Sequence, residues 1–372
     1  PIRIVNISNV VWLRLSINVF FVKLYLGTKL FMKLTLTLSA IMWAITPSFA
    51  QKFPVFSYES YSDTLNNLQV DGQFVGGLSG ITYDEEVDRY MAITDNSNTK
   101  NNNSKTATNY SFSINHKESG EMSVTDVKIL PLKDQLAAIN PESLRAVNGN
   151  FIISDEGTYH TVVMKISANG DYVKELHKST DIKYNSGFEG ICLSDDESRL
   201  FFCMERPLDN SMVRGGEEEN LGAISLYQYD LKNDELIGQY LYPLHVPPAE
   251  SNLNEKQTES FRKDNGVTEI LSFNDTTLLF LERAFLGGTE KKLHVRLYMA
   301  VLTEETNILA GNFDLLQPKK VFDFYETEVP FEVDNVEGMT FNADKNRLYL
   351  ISDDNFDHYG EQETQIITLK IN

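Results

Sequence analysis

The sequence contains few of the residues on which several common chemistries depend. Its 372 residues include only two cysteines, two tryptophans and six histidines. The histidines are scattered, and neither a His-Glu-x-x-His nor a Cys-x-x-Cys pattern occurs, so no zinc site is recognisable. A phosphate-cradling glycine loop is also missing, and Gly77-Leu78-Ser79-Gly80 is one residue short of a serine nucleophile elbow. These absences argue against zinc enzymes, P-loop nucleotide hydrolases and serine hydrolases.

The scarcity of cysteine limits the covalent chemistry available to the chain. Cys192 and Cys203 lie on the two strands of one predicted hairpin. In an exported protein they could form a cross-strand disulfide, but two buried thiols are an equally good interpretation. Neither has a histidine close by in sequence, so we predict no cysteine nucleophile.

Basic residues are also scarce relative to acidic ones. The chain has 33 basic and 53 acidic residues, a net charge of −20. Five of the basic residues and none of the acids lie in residues 1–50, which leaves 28 basic against 53 acidic residues, or −25, in the remainder. A surface this acidic repels the phosphate backbones of nucleic acids, so we expect no nucleic-acid partner.

Residues 32–50 have the organisation of a secretory signal. Met32-Lys33 supplies a charged start, an apolar run follows, and Ser48-Phe49-Ala50 ends in a small-residue cleavage site. We therefore predict cleavage after Ala50 and a secreted or periplasmic mature chain, residues 51–372, that forms a single domain.

Residues 1–31 are interpreted as an upstream or non-native extension, with an extended targeting region as the alternative. Their uncharged runs, Leu15–Val22 among them, are far shorter than the roughly 20 residues needed to span a bilayer. We expect no membrane span in the mature chain.

One pattern occurs five times in residues 51–372. A short apolar strand is followed by a polar turn and by a second apolar strand that ends in an acid. The copies begin at Gly77, Pro141, Gly187, Gly266 and Val336. Such self-similarity is typical of repeat architectures.

Further strand-like runs follow each copy. They are Asn109–Asn115, Met122–Leu130, Thr161–Ser167, Tyr172–His177, Ala223–Tyr229, Leu236–Tyr242, His294–Leu302, Lys319–Phe324 and Gln365–Ile371. Four short strands per repeat predict an all-β fold, a β-propeller of four-stranded blades. The fifth copy lacks an outer strand that Phe53–Ser62 could supply, so five blades are favoured, with six as the alternative. Helical signals are scarce: Lys133–Ile139 could form a turn or two, and Pro243–Asp264 is predicted to be a polar insertion.

Two sets of polar residues recur at fixed places in the repeats. The first strands carry Ser79, Glu142, Glu189, Glu269 and Glu337 near their starts, and the second strands end in Asp95, Asp155, Glu205, Glu282 and Asp353. Inner strands of a propeller line the central channel, so the first set should meet at one mouth. Four carboxylates that close together require protons or a cation.

Oxygen ligands in such number favour Ca²⁺, with Mg²⁺ or Mn²⁺ as alternatives. We therefore predict a metal site formed by Glu142, Glu189, Glu269 and Glu337. Asn140, Asn265 and Asn335 could supply further ligands. The alternative is that these glutamates cap blade ends by accepting hydrogen bonds from backbone N–H groups.

These motifs resemble the phytase-like family, which is described as having esterase-like activity and consists mostly of exported bacterial proteins. The matching residues are Gly77–Ile81, Gly187–Gly190, Gly266–Ile270, Leu281–Arg283, Val336–Met339 and Ser352–Phe356. A looser similarity links Glu189-Gly190 and Glu337-Gly338 to the calcium-dependent lactonase propellers, in which a Glu-Gly pair places a carboxylate on an axial metal. The resemblance implies hydrolysis of esters or phosphoesters.

The residues and the resemblance together suggest a mechanism. A metal polarises the ester, Glu205 or Asp353 acts as general base, and Arg206 or Arg283 holds the anionic group. Asp95, Asp155, Glu282 and Asp354 are predicted to contact the substrate. The alternative for the Glu-Arg pairs is a set of salt bridges between blades.

We thus predict an exported, monomeric, metal-dependent hydrolase of a small anionic ester or phosphoester. The alternative is a non-catalytic binding propeller that recognises a glycan, a peptide or a metal. An enzyme requires a metal or a base of raised pKa beside an open pocket, whereas a binding module requires exposed aromatic residues at the rim.

Overall fold

The computed structural model describes most of the chain. The described residues are 3–7, 10–14, 52–95, 107–117, 121–133, 136, 139–157, 159–180, 182, 186–207, 220–247, 253–286, 292–356 and 362–372. The chain divides into two compact units, Pro1–Lys52 and Phe53–Asn372. In the first unit, strands Arg3–Ile7 and Val10–Arg14 form an antiparallel hairpin. The predicted signal peptide, residues 32–50, lies outside the described residues, so its cleavage stays a prediction.

The second unit is a propeller of five four-stranded antiparallel sheets. From the inner to the outer strand, blade 1 comprises Leu78–Asp84, Arg89–Thr94, Thr108–His116 and Met122–Pro131. Blade 2 comprises Pro141–Val147, Asn150–Glu156, Thr161–Ser167 and Tyr172–Ser179. Blade 3 comprises Phe188–Leu193, Arg199–Met204, Asn220–Asp230 and Glu235–His245. Blade 4 comprises Gly266–Asn274, Thr277–Leu286, Lys292–Val301 and Lys319–Asp323. Blade 5 comprises Val336–Phe341, Arg347–Ser352, Ile366–Ile371 and Phe56–Ser62.

The ring closes in blade 5. Its outer strand Phe56–Ser62 precedes all the other blades in sequence, yet pairs antiparallel with Ile366–Ile371. The five inner strands contact one another in a closed cycle around the axis. The predicted propeller, its five blades and its closure by an early and a late strand are therefore confirmed.

Local sequence explains the hairpins that start blades 2 and 4. In blade 2, Asn148 and Gly149 form a two-residue turn in which both residues have positive φ, as a type I′ turn requires. In blade 4, the Asn274 side chain accepts hydrogen bonds from the backbone N–H groups of Thr276 and Thr277. Both turns place the second strand directly beside the inner one.

The hydrophobic core lies between the blades. Buried side chains of the described residues form five clusters, and each cluster joins two neighbouring blades. Cys192 and Cys203 belong to the cluster between blades 3 and 4, and both are buried and free. Cys192 pairs with Phe201 across the hairpin, so the two sulfurs occupy different rungs of the ladder. Of the two interpretations offered for the cysteines, the structure supports buried thiols.

The insertion before blade 4, for which the sequence indicated only a polar segment, contains a helix, α1, at Glu255–Lys263. Asn254 and Gln257 form a capping box at its start, and Phe261 anchors it as its only buried residue. Two 3-10 helices, Glu304–Thr306 and Ile308–Ala310, lie in blade 4, and a small hairpin joins Gln69–Val70 to Gln73–Phe74. In the part of the chain that the structure describes, none of the helices has the length and apolar character of a membrane span.

Candidate functional site

Every inner strand begins with a β-bulge. The ladder skips one or two residues between Leu78 and Gly80, Pro141 and Leu144, Phe188 and Ile191, Val267 and Glu269, and Val336 and Gly338. The first skipped residues are Ser79, Glu142, Glu189, Thr268 and Glu337. A bulge releases a residue from the ladder and redirects its side chain. The skipped positions hold three glutamates.

These glutamates open into a cavity of about 240 Å³ at one end of the channel. Its lining residues are Asp95, Asn140, Glu142, Glu156, Glu189, Glu205, Arg206, Asp264, Arg283, Phe285, Asn335, Glu337, Asp353 and Asn355. Acids thus far outnumber the two arginines. The cavity is suited to cations, or to ligands that bring a cation with them.

Glu142, Glu156 and Glu189 form the tightest acidic group in the cavity. One carboxylate oxygen from each lies within 4.8 Å of the other two, and all three residues are buried. Asn140 Nδ2 donates to Glu142 Oε1 at 2.5 Å, and the backbone N–H of Gly187 donates to Glu156 Oε1 at 2.8 Å. This glutamate triad has the oxygen donors and the spacing that a divalent cation requires.

Burial and mutual repulsion change the protonation of the triad. Burial and the neighbouring Glu189 raise the pKa of Glu142 well above its usual value, and burial with the Glu156 charge does the same to the pKa of Glu189. Burial and Glu205 raise the pKa of Glu156 to about 8. Without a cation, burial and mutual repulsion therefore favour the protonated forms of these carboxyl groups.

Two arginines border the cavity on blades 3 and 4. Arg206 Nη2 lies 2.8 Å from Glu205 Oε1 and 2.8 Å from Asp264 Oδ1. Arg283 Nη2 donates to Glu337 Oε1 at 2.6 Å, and its Nη1 lies 3.7 Å from Asp264 Oδ2. Asp264, which follows α1, thus stands between the two guanidinium groups.

Blades 1 and 5 contribute acids to the lining of the cavity but no arginine. Asp95 and Asp353 lie there, and burial together with the charge of Asp95 raises the pKa of Asp353 well above its usual value. Asp353 Oδ1 accepts a hydrogen bond from the backbone N–H of Asn355 at 2.8 Å. A carboxylate of raised pKa beside an open cavity is suited to proton transfer.

Glycines make room for these carboxylates. A Cβ on Gly187 would lie 2.8 Å from Glu156 Cγ, and one on Gly266 would lie 2.8 Å from Glu205 Cγ. Each of these glycines therefore lets the acid at the end of the previous blade's second strand reach the cavity.

Eight of the predicted site residues meet in the cavity. They are Asp95, Glu142, Glu189, Glu205, Arg206, Arg283, Glu337 and Asp353. Among the predicted further ligands, Asn140 and Asn335 also line it, whereas Asn265 Nδ2 donates to the backbone oxygen of His245. The other four predicted residues, Asp155, Glu269, Glu282 and Asp354, lie outside the lining.

Glu269 follows the bulge residue Thr268 and lies within the wall of the channel. Its Oε2 pairs with Arg145 Nη2 at 2.9 Å and accepts from Ser143 Oγ at 2.8 Å. Burial raises the pKa of Glu269 to about 7, despite the nearby Arg145 charge. Glu269 thus lies one residue after the bulge position and outside the lining of the cavity, and its role as a metal ligand stays a prediction.

Glu282 and Asp155 also lie one residue from the position that reaches the cavity, which Arg283 and Glu156 occupy instead. Glu282 accepts from Tyr242 Oη at 2.8 Å and pairs with Arg296 at 2.9 Å. Although burial opposes ionisation, Arg296 and His245 keep the pKa of Glu282 below its usual value. Asp155 Oδ1 accepts from the backbone N–H of Asn140 at 2.7 Å.

Asp354 has a loop-capping role in the structure. Its Oδ1 accepts hydrogen bonds from the backbone N–H groups of Gly77 at 2.7 Å and Phe356 at 3.0 Å. These bonds fasten the end of one blade to the start of the next. Because its carboxylate makes these bonds, Asp354 lies beside the lining of the cavity rather than in it.

The sequence analysis missed Glu156 and Asp264 as lining residues. Glu156 could have been found as the second acid of the Asp155-Glu156 pair, and Asp264 as the acid between helix and strand. Phe285 and Asn355 give no comparable sequence signal. Phe285 lies near the end of the long second strand of blade 4, and Asn355 follows the second strand of blade 5, so both reach the rim.

Solved structures with a detectable likeness to the chain are remote. The PQQ-bound aldose sugar dehydrogenase from Streptomyces coelicolor is 8% identical, with a TM-score of 0.36 and coverage of 86% of this chain and 99% of that one. The Dos1 propeller is 7% identical, with a TM-score of 0.35 and coverage of 79% and 68%. A protein from Bacteroides uniformis provisionally assigned as a 6-phosphogluconolactonase is 11% identical, with a TM-score of 0.31 and coverage of 79% and 88%. Scores this low carry no argument about the chain.

Comparison at the level of sequence is more specific. Among curated proteins, none matches the sequence. A family model described as "Phytase-like: Esterase-like activity of phytase" matches residues 73–356, a span that includes the inner strands of all five blades and every residue lining the cavity. The chain therefore belongs to the phytase-like family.

Proposed function

We propose that this protein is a metal-dependent hydrolase of small anionic esters, phosphoesters above all. The observation that carries the proposal is the glutamate triad, Glu142, Glu156 and Glu189, beside Arg206 and Arg283 in one cavity. Membership of a family described by esterase-like activity supports the reaction class. The acids would hold a cation, and the arginines would hold an anion.

The chemistry of the donors favours Ca²⁺, with Mg²⁺ or Mn²⁺ as alternatives. Besides the triad, Glu205 Oε2 and Asn335 Oδ1 are buried and make no hydrogen bond to any described residue. Buried oxygen atoms without partners are rare and fit a site that receives a ligand. A cation there would supply positive charge to stabilise the negative charge that develops on the ester.

The proposed roles of the other residues follow from their contacts. Burial raises the pKa of both Glu205 and Asp353, but Glu205 is paired with Arg206, so Asp353 would be the better general base. Arg206 and Arg283 would orient the anionic group of the substrate. Glu337 Oε1 lies 2.6 Å from Arg283 Nη2. Glu337 would therefore position that arginine rather than bind the metal.

The test combines metal analysis with hydrolysis assays. We expect the purified chain to bind one divalent cation and to hydrolyse p-nitrophenyl phosphate only when metal is present. Glu156→Gln should lower cation affinity at least about tenfold and lower hydrolysis with it. Glu259→Gln, which removes the same charge from the exposed side of α1, is the matched control. Hydrolysis that survives chelation unchanged would refute the metal dependence.

A binding module is the second candidate, favoured by one exposed aromatic residue. Tyr159, in the loop after the second strand of blade 2, is 84% exposed. Exposed tyrosines serve carbohydrate and peptide recognition through their rings. Glycan or peptide binding that is lost in Tyr159→Ala, without hydrolysis by the parent chain, would favour this function.

Export and a monomeric state complete the proposal. Terminal sequencing of the protein recovered from the exporting cell should begin at Gln51 if the predicted signal is cleaved. Light scattering of the same sample should give the mass of one chain.

A further inference from the structure

Asp264 differs from the other acids that line the cavity. It is carried by the insertion before blade 4, at the C-terminal cap of α1, whereas most of the others end or begin strands of the ring. Its side chain is 32% exposed, while that of Glu205 is 3% exposed and that of Glu337 14%. Its carboxylate can therefore move into solvent at a smaller cost than theirs.

The local position of Asp264 is unfavourable for a carboxylate. The C-terminal end of a helix carries partial negative charge, which disfavours an anion in the last turn. Asp264 is also close to a cavity that already contains an excess of acids, and its charge contributes to raising the pKa of Glu205 and Glu337. The compensating contacts are those to Arg206, at 2.8 Å, and to Arg283, at 3.7 Å.

Those two contacts are the ones that an anionic ligand would make. Carboxylate and phosphate oxygens bind the same guanidinium N–H groups, and a carboxylate can therefore occupy the place of a phosphate. Both arginine Nε atoms are buried and make no hydrogen bond to any described residue, so the guanidinium groups have further donors to offer.

We infer that Arg206 and Arg283 form one subsite for a phosphate or carboxylate group, and that Asp264 occupies this subsite until the ligand displaces it. The inference deepens the proposed function and rests on it for the identity of the ligand as an anionic ester. In the absence of ligand, Asp264 shares the two arginines with Glu205 and Glu337. When the anion binds, the Asp264 carboxylate turns toward solvent and α1 remains anchored by Phe261.

Calorimetric titration with inorganic phosphate tests the inference without relying on catalysis. We expect Asp264→Asn to bind phosphate about fivefold more tightly than the parent chain, since the competing charge of a partly exposed ion pair is removed. Asparagine preserves the size of the side chain. Thermal melting of each variant verifies that it is folded.

Two further variants sharpen the result. Glu259→Gln removes one charge from the same helix, where Glu259 pairs with Lys263 in solvent, and should leave phosphate affinity unchanged. Adding Arg206→Gln to Asp264→Asn should abolish the gain. Titrations are run with calcium and with chelator, so that an effect of the cation is separated from an effect of the arginines.

The outcomes are distinct from those of the hydrolysis assay. Phosphate affinity that is equal or weaker in Asp264→Asn, or undetectable in every variant, overturns the inference. A chain that shows the expected order of affinities but cleaves no ester refutes the proposed hydrolase and leaves the subsite standing.

Discussion

Arg145 and Glu269 form a buried salt bridge between blades 2 and 4, with Nη2 and Oε2 2.9 Å apart and both side chains almost fully enclosed. Arg145 also donates hydrogen bonds to the backbone oxygens of Ile81 and Ile270. One side chain thus connects the inner strands of blades 1, 2 and 4. The pair lies in the wall of the channel, outside the acidic cavity.

We predict that Glu269→Gln lowers the free energy of unfolding by about 3 kcal/mol, because it leaves the Arg145 charge buried without its counter-charge. Chemical denaturation of the parent and variant chains measures the difference. Glu259→Gln breaks an exposed pair and should change stability by less than about 0.5 kcal/mol. Equal effects of the two substitutions would show that the buried pair is not important for stability.

The stability of the chelated protein should fall as pH rises from about 4.5 to about 8. Burial and Glu205 raise the pKa of Glu156 from 4.5 to about 8, so in this window the folded state keeps a proton that the unfolded chain has released. More protons bound to the folded state mean that the free energy of unfolding decreases with pH. Melting temperatures in chelator at pH 5, 6.5 and 8 should decline, and Glu156→Gln should weaken the decline. A rise across this window would contradict the prediction.

Gly187→Ala should disturb the glutamate triad specifically. The new Cβ would meet Glu156 Cγ at 2.8 Å, so the side chain must shift, at a cost of about 1–3 kcal/mol in stability and with a loss of cation affinity. Calorimetric titration with Ca²⁺ and thermal melting measure the two effects.

Gly311→Ala is the control for Gly187→Ala. Its φ of +87° makes alanine cost about 1 kcal/mol through the backbone, but no described heavy atom lies within 4 Å of the new Cβ. Calcium affinity should therefore stay at the parent value. A loss of affinity in both variants would assign the effect to general destabilisation.

Neither cysteine should react in the folded protein. Cys192 and Cys203 are buried and free, and burial raises the pKa of both thiols, so little thiolate is available. A thiol reagent should label neither residue in the native protein and both in denaturant. Intact mass without reduction that shows a disulfide would contradict this expectation.

The sequence was sufficient to predict the five-bladed ring, but not which residue of each strand reaches the cavity. Repeated hairpins and a spare strand at Phe53–Ser62 predicted five blades and their closure. The bulges at the starts of the inner strands left no comparable signal, and a shift of one residue turns a strand side chain to the opposite face. The bulge at Thr268 leaves Glu269 one residue past the skipped position, and the second strands of blades 2 and 4 reach the cavity with Glu156 and Arg283, one residue after Asp155 and Glu282.

Helix α1 was missed for a different reason. Its capping box, Asn254 with Gln257, is visible in the sequence, but only Phe261 of its nine residues is buried. A helix with one buried residue shows almost no apolar periodicity, which is the main sequence signal for helices. The position of Asp264 between two arginines depends on that helix and could not be inferred without it.

The pairing of Tyr61 with Ile367 also determines the order in which the molecule can be assembled. During synthesis, Phe56–Ser62 emerges before every other strand of the propeller, and its partner Ile366–Ile371 emerges last. The early strand must therefore remain without its permanent neighbour while four blades fold, a situation that slows folding and exposes a free edge. Since Asp353 follows the second strand of the last blade, the acidic cavity gains its final wall only when that blade takes its place in the ring.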